Sequence, residues 1–176
     1  MLFRSNLIKA LDFLPDEEKP EIYLFYKPDL QRFVDELNYP YLHKMVHNYP
    51  KVHTTFIKSM VLQKNLFVDD LIDQYQLDSI FPLHDYPVKS KKDCKLISWY
   101  ADLQHKHYPQ FFSLAKRLER HLRVLFILKN TRDLVVSSHD VKGDFYRFFD
   151  IPEHVQFHVY HFVSIVDKFP TYTKEE

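Results

Sequence analysis

Glycine is almost absent from this sequence: Gly143 is the only one among 176 residues. Phosphate-binding turns of the G-x-G-x-x-G and Walker types need several glycines, because backbone amides must approach the phosphate oxygens closely. The chain can therefore build neither type of turn. If its function involves a nucleotide, the phosphate is bound by other means or by another polypeptide.

Cysteine, net charge and long apolar runs are also scarce. The single cysteine, Cys94, cannot form an internal disulfide, which suits a reducing compartment. Lys plus Arg and Asp plus Glu are equal at 24 each, so no overall field attracts nucleic acid or an anionic membrane. No apolar run approaches the ~18 residues of a membrane span, and the first residues do not form a signal peptide. We therefore expect a cytoplasmic protein with no transmembrane segment and no nucleic-acid partner.

Aromatic and apolar side chains are abundant. Hydrophobic residues make up 45% of the chain, with 16 Phe and 12 Tyr, so the chain can bury one hydrophobic core of ordinary size. Periodicity predicts helices around residues 7–14, 30–37, 55–75, 114–125 and 141–149, the last two capped by Ser113 and Ser138. Short apolar runs predict strands at residues 21–26, 79–83, 96–100, 133–137 and 155–159.

The alternation of short apolar strands with helices predicts an α/β fold: a Rossmann-like, mostly parallel sheet flanked by helices. Residues 38–50 contain two prolines and are predicted to be irregular. The arginines at 117, 120 and 123 are predicted to form the solvated side of their helix. One domain is expected over 1–166, followed by a tail or linker at 167–176.

In an open α/β sheet, ligands lie beyond the carboxyl ends of the strands. That rule selects four loops: Lys27-Pro28-Asp29, His84-Asp85-Tyr86, Asp102 to Pro109, and Ser138-His139-Asp140. The loop from Asp102 is the richest, since it adds Gln104, His105 and His107 directly after Trp99-Tyr100. Carboxylate, amide and imidazole groups beside an aromatic ring suit a polyhydroxylated ligand. Helix caps and turns would use the same residue types, so a purely structural role remains open.

The same segment carries a family resemblance. The run 97–105 (ISWYADLQH), continuing to 109–112 (PQFF), resembles the W-x-P-D-x-Q-H-x-x-x-P-x-F-F segment of a branch of group 1, family four glycosyltransferases. Residues 135–145 and 7–26 are similar to further elements of that family, although only 102–112 is specific. Ala101 stands where the family has proline. The family's first strand and glycine-rich turn, expected before Leu7, and its donor domain, expected after Glu176, are missing.

The resemblance implies the N-terminal, acceptor-side half of a GT-B fold, in which a second domain holds the nucleotide sugar. It implies retaining sugar transfer to a sugar or glycan acceptor without a bound metal, and no cofactor is expected in this chain. Carried over by position, the catalytic residues would be Asp102 and His105. The acceptor-binding residues would be His84, Asp85, Trp99, Gln104, His107 and Ser138. Because the donor domain is missing, we expect little or no activity from this chain alone.

Two other functions are compatible with the residues. A non-catalytic interaction module, or one subunit of a split enzyme, would use the exposed half-cleft and could dimerise through an unpaired sheet edge. A metal-dependent hydrolase would use His84, His105 and His107. No carboxylate or cysteine array at metal-ligand spacing accompanies these histidines, which disfavours the hydrolase.

Overall fold

The computed structural model describes residues 2–48, 52–62, 64–83, 90 and 93–161. These residues form two compact units, one within 2–48 and the other within 52–161. Every strand pairing described in the two units is parallel, and helices accompany the strands, so the predicted α/β fold with a parallel sheet is confirmed. Residues 167–176 lie outside the described residues, and the predicted division there stays a prediction.

The first unit contains one strand that the sequence did not predict. Its elements are α1 (Leu2–Leu11), β1 (Ile22–Tyr26), α2 (Gln31–Asp35) and β2 (Leu42–Val46). Strand β2 lies inside the segment predicted to be irregular and pairs with β1 from Ile22↔Leu42 to Tyr26↔Val46. The prediction was wrong because the two prolines, Pro40 and Pro50, lie on either side of the strand and remove no hydrogen bond from it.

The second unit contains a four-stranded parallel sheet in the order β3-β4-β5-β6. Its elements are α3 (Val52–Leu62), α4 (Asp69–Tyr75), β3 (Ser79–Leu83), β4 (Lys95–Tyr100), α5 (Gln104–His107), α6 (Leu114–Asn130), β5 (Asp133–Val136), α7 (His139–Phe148) and β6 (Gln156–Val159). Because all four strands are parallel, their carboxyl ends meet at one edge of the sheet.

The single helix predicted over 55–75 is two helices, α3 and α4, with a break between them. Side chains in the break bind backbone N–H groups: Asp69 accepts from the Asn65 amide at 3.0 Å, and Asn65 accepts from the Phe67 amide at 3.1 Å. The Ser59 hydroxyl accepts from the Leu66 amide at 3.1 Å. These bonds give the backbone an alternative to helical pairing, which the apolar spacing did not reveal.

The core of the second unit lies between the sheet and helices α6 and α7. All four residues of β5 are buried, and alternate ones, Leu134 and Val136, pack with α6 and α7. Phe145 of α7 has no exposed surface, and its ring contacts Tyr100 of β4 and Phe157 of β6 at centroid distances of 5.8 and 5.3 Å. One aromatic side chain therefore joins strands on both sides of β5 to the helical layer.

Helix α6 turns a different side toward the core than its leucine row suggests. Val124, Ile127 and Leu128 are buried, whereas a row of four leucines is exposed, from 79% at Leu114 to 43% at Leu125; the other two are Leu118 and Leu122. The three arginines do not form a solvated side as predicted: all three are only partly exposed. The helix therefore carries two apolar stripes. The stripe containing Val124 packs in the core, and the leucine row is exposed.

We expect Phe145→Ala to lower the free energy of unfolding by about 3–5 kcal/mol, because it removes a fully buried ring and leaves a cavity. The matched control is Leu118→Ala, at a site 58% exposed, where a change within about 0.5 kcal/mol is expected. Urea unfolding followed by circular dichroism measures both values. Similar losses in the two variants would contradict the described packing of α6 and α7.

Candidate functional site

The carboxyl ends of β4, β5 and β6 are aligned at one edge of the sheet. The Ser137 hydroxyl, directly after β5, donates to the carbonyl of Ala101, directly after β4, at 2.8 Å. The Tyr160 amide, directly after β6, donates to the carbonyl of Val136 at 3.0 Å. Neighbouring strands lie ~4.8 Å apart, so residues following these three strands share one surface. We call this surface the carboxyl edge.

Asp102 supplies a carboxylate at the carboxyl edge. It is half-buried, and its Oδ1 accepts the backbone N–H of Gln104 at 3.3 Å. Its other oxygen has no hydrogen bond to any described residue, so the carboxylate retains the capacity to accept a ligand hydroxyl. The side chain of Gln104 is exposed next to it.

Ser138 begins helix α7 at the same edge, as predicted. Its hydroxyl oxygen accepts the Val141 amide at 3.2 Å, which is the usual geometry of an N-cap. The hydroxyl proton is not used by that bond, so Ser138 can still donate to a ligand. A structural role and a binding role are therefore compatible for this residue.

Two histidines at the carboxyl edge were not named as binding residues, although His139 lies in one of the four loops selected from the sequence. His139 and His161 are both exposed, and their ring centroids lie 5.6 Å apart. Each follows the end of a strand, β5 or β6. This signal selected the loop that contains His139, and it would also have identified His161. They add two groups able to donate or accept hydrogen bonds beside Ser138.

His107 is held by helix α7 and does not lie free in a loop. Its Nε2 lies 2.7 Å from Oδ2 of Asp144, and its ring meets that of Phe148 edge-on at 5.4 Å. These contacts fasten α5 to α7. The stretch after Asp102, predicted as a loop, is thus a short helix that packs against the helical layer.

His105 is buried, in contrast to Asp102. It is 3% exposed, and neither ring nitrogen has a hydrogen-bond partner within the described part of the chain. Burial lowers the pKa of His105 to about 4, and the positive charges of Lys106 and Arg120 act in the same direction. The imidazole is therefore neutral at neutral pH. Asp102 and His105, the two predicted catalytic residues, occupy different environments.

The remaining predicted site residues are less informative. Trp99 is half-buried on β4, in register with Val135, and by strand alternation lies on the sheet face opposite Tyr100. His84 and Asp85 lie outside the described residues. The predicted loop Lys27-Pro28-Asp29 belongs to the first unit and follows β1 there.

A cavity of about 550 Å³ lies at the opposite edge of the sheet, lined by residues at the amino ends of the strands, among them Lys95, Asp133 and Gln156. Its buried carboxylate, Asp133, is already paired: Nε2 of His158 lies 2.7 Å from Oδ1, and Nζ of Lys95 lies 3.6 Å from the same atom. Asp133 therefore ties three strands together. The charge of Asp133 is compensated by His158 and Lys95. One oxygen of Asp102, in contrast, has no hydrogen bond to any described residue.

Metal and thiol chemistry find little support in the part of the chain that is described. No group of three or more His, Cys, Asp or Glu side chains there is arranged to hold a metal ion. Cys94 is half-buried, and burial raises the pKa of its thiol, so the unreactive protonated form is favoured. No helix among the described residues has both the length and the apolar character needed to cross a bilayer.

We expect His105→Leu to reduce the loss of stability at acid pH. The lowered pKa means that the unfolded chain binds a proton at His105 more readily than the folded chain does. Wild-type stability should therefore be retained above pH 6.5 and fall as the pH decreases from 6.5 towards 4. The variant should lose the part of the pH dependence that is due to His105. At pH 7 its free energy of unfolding should be no smaller than that of wild type, since the substitution removes a buried polar ring that has no hydrogen-bond partner among the described residues.

Urea unfolding of both proteins at several pH values between 7 and 4 measures this difference. The pKa of His121 is also lowered, by burial and by Lys106, so part of the acid sensitivity should remain in the variant. Identical pH profiles for the two proteins would contradict a neutral, buried His105.

No family model, curated protein or solved structure matches this chain. The assignment of a function therefore depends on the residues at the carboxyl edge and on the segment between Trp99 and Phe112.

Proposed function

We propose that this chain is the acceptor-binding half of a retaining glycosyltransferase of GT-B architecture, and that the acceptor lies on the carboxyl edge. The observation that carries the proposal is Asp102, at the edge where parallel α/β sheets bind ligands and close to Ser137 and Ser138 in the fold. One oxygen of its carboxylate has no hydrogen bond to any residue that the structure describes. The parallel fold and the resemblance of residues 97–112 to one branch of the family support it.

The polar groups at this edge match the chemistry of a sugar acceptor. A sugar hydroxyl can donate to the free Asp102 oxygen and accept from Ser138 or from an imidazole N–H of His139 or His161. Several such bonds would fix one hydroxyl in a single orientation. Positioning of this kind supplies much of the rate enhancement when the leaving group is already activated, as a nucleotide is.

Within this proposal, Asp102 accepts the proton of the reacting hydroxyl. His105 is buried, so we assign it a positioning role in which it holds α5 against the helical layer. His107 supports the same arrangement through its contact with Asp144. The two predicted catalytic residues thus take different roles in this proposal. Asp102 contacts the acceptor, and His105 holds in place the backbone segment that follows Asp102.

The nucleotide sugar would be bound by a second domain. A chain with a single glycine has no glycine-rich turn for a diphosphate, so we assign the donor site to a second domain. The complete reaction would occur only when a donor-binding domain faces the carboxyl edge.

An interaction module is the second candidate function, and the exposed leucine row of α6 favours it. Phe111, 77% exposed, precedes the row, and Tyr108 is also exposed. Contiguous apolar side chains of this kind commonly mark surfaces that bind another protein. A subunit of a split enzyme would combine both functions.

We expect the isolated chain to bind an acceptor glycan and not a nucleotide sugar. A labelled sample screened against an array of glycans should give a defined set of bound sugars, whereas UDP-glucose should give no heat in a calorimetric titration. Asp102→Asn should weaken binding of the selected glycan about tenfold or more, because a carboxylate is a stronger acceptor than an amide.

Asp150→Asn is the matched control, since Asp150 is an exposed carboxylate just after α7. It should leave glycan binding unchanged. Tight binding of UDP-glucose by this chain alone, equal glycan binding by Asp102→Asn and wild type, or the absence of any bound glycan would each contradict the proposal.

A further inference from the structure

The core-facing stripe of helix α6 changes from apolar to basic along its length. Residues advance by about 100° around an α-helix, so Arg117, Arg120 and His121 lie on the same side as Val124 and Ile127. The latter two are buried against the sheet, and the first three are partly buried. Two arginines and an imidazole therefore occupy the inner side of the first half of α6, where apolar side chains would be expected.

Helix α5 adds a further positive charge to this side. Lys106 is half-buried, and its Nζ lies 3.1 Å from Nδ1 of His121 and 4.8 Å from the ring centre of Phe149. Burial lowers the pKa of Lys106, and the charge of Arg117 lowers it further. Arg120 stacks on Phe112 at 4.8 Å. We call Lys106, Arg117, Arg120 and His121 the basic cluster.

No carboxylate compensates the basic cluster within the described ranges: Lys106, Arg117 and Arg120 form no ion pair there. The neighbouring acids are already engaged. Glu119 pairs with Lys116 and Arg123, both at 2.8 Å, and Asp144 lies 2.7 Å from His107.

Like charges gathered in partly buried positions cost free energy unless a counter-charge is present. The neighbouring His105 feels the charges of Lys106 and Arg120, and its imidazole is buried without a hydrogen-bond partner among the described residues. The chain has as many acidic as basic residues, yet none of its described carboxylates pairs with Lys106, Arg117 or Arg120. The arrangement indicates a site whose negative charge is supplied by a ligand.

We propose that the basic cluster binds the phosphate group of a small phosphorylated metabolite. A phosphate monoester carries about 1.5 to 2 negative charges and three strong acceptor oxygens at pH 7, which suits two arginines and a lysine. A single carboxylate would leave most of the positive charge uncompensated. The zero net charge of the chain and the exposed leucines beside the cluster disfavour a nucleic acid. The proposal does not depend on sugar transfer.

The test is an NMR titration of the whole chain with glycerol 3-phosphate and, separately, with inorganic phosphate. Both should shift the imidazole resonances of His121 in a saturable way, whereas glycerol and potassium chloride at matched ionic strength should not. Tighter binding of the ester would identify an organic phosphate as the ligand. Equal binding would mean that the phosphate group alone is recognised.

Arg117→Gln and Arg120→Gln should each weaken phosphate binding about tenfold or more, since each removes charge-assisted hydrogen bonds. Lys129→Gln, which removes an exposed positive charge from the last turn of the same helix, should bind as wild type does. Each variant is also heated with and without glycerol 3-phosphate. The ligand-induced rise in Tm is compared within one protein, so a loss of folding stability does not obscure the result.

Three outcomes would overturn the proposal. The first is no saturable shift in the wild type up to about 20 mM of either phosphate, a range that covers weak millimolar affinity. The second is an equal loss of binding in Lys129→Gln. The third is the same His121 shift with chloride at matched ionic strength, which would reflect screening of the cluster without a bound ligand.

Discussion

The parallel pairing of β4 with β5 is the constraint on which the proposed site depends. It runs from Ile97↔Asp133 to Tyr100↔Val136, so both strands end at the same level. Ala101 and Ser137 then face each other across a hydrogen bond, and Asp102 follows directly. A shift of one residue in this register would turn Leu134 and Val136 away from the helices and bury the wrong side of β5. Core packing and the site thus depend on the same pairing.

Buried polar pairs hold this register from within. The hydroxyls of Ser98 and Thr131 lie 2.6 Å apart and are almost fully buried, so they join β4 to the two-residue connection between α6 and β5. Asp133 makes a similar connection through His158 and Lys95 at the amino ends of the strands. Because unpaired polar groups in a core are costly, each pair favours the observed strand register over registers shifted by one residue. The sequence patterns did not identify these pairs, since their members are 25 to 38 residues apart along the chain.

Apolar runs and hydroxyl residues predicted correctly those elements that depend on residues close together in the sequence. The strand at residues 133–136 and the helix caps Ser113 and Ser138 lie where the apolar runs and the hydroxyl residues indicated. The fold class followed from the alternation of those elements. Strand β2 was missed because three of its five positions are exposed, so it shows no apolar run, and because its pairing with β1 is a tertiary contact.

The sites were harder to predict than the fold. A loop of Asp102, Gln104, His105 and His107 was expected to lie open, but docking of α5 buried His105 and paired His107 with Asp144. On α6, a regular leucine row concealed the stripe that packs inward. That stripe could have been found by extending Val124, Ile127 and Leu128 backwards by one helical repeat, which leads to Arg117, Arg120 and His121. The basic cluster was therefore present in the sequence as a continuation of the core pattern.

The carboxyl edge and the docking of α5 both require that β4 and β5 run parallel in one register. Nuclear Overhauser contacts between backbone protons of these two strands test that requirement directly. We expect the contacts of a parallel ladder, with Trp99 opposite Val135 and Tyr100 opposite Val136. Contacts of an antiparallel pair, a shifted register, or no contact between the strands would contradict the structure on which both proposed sites rest.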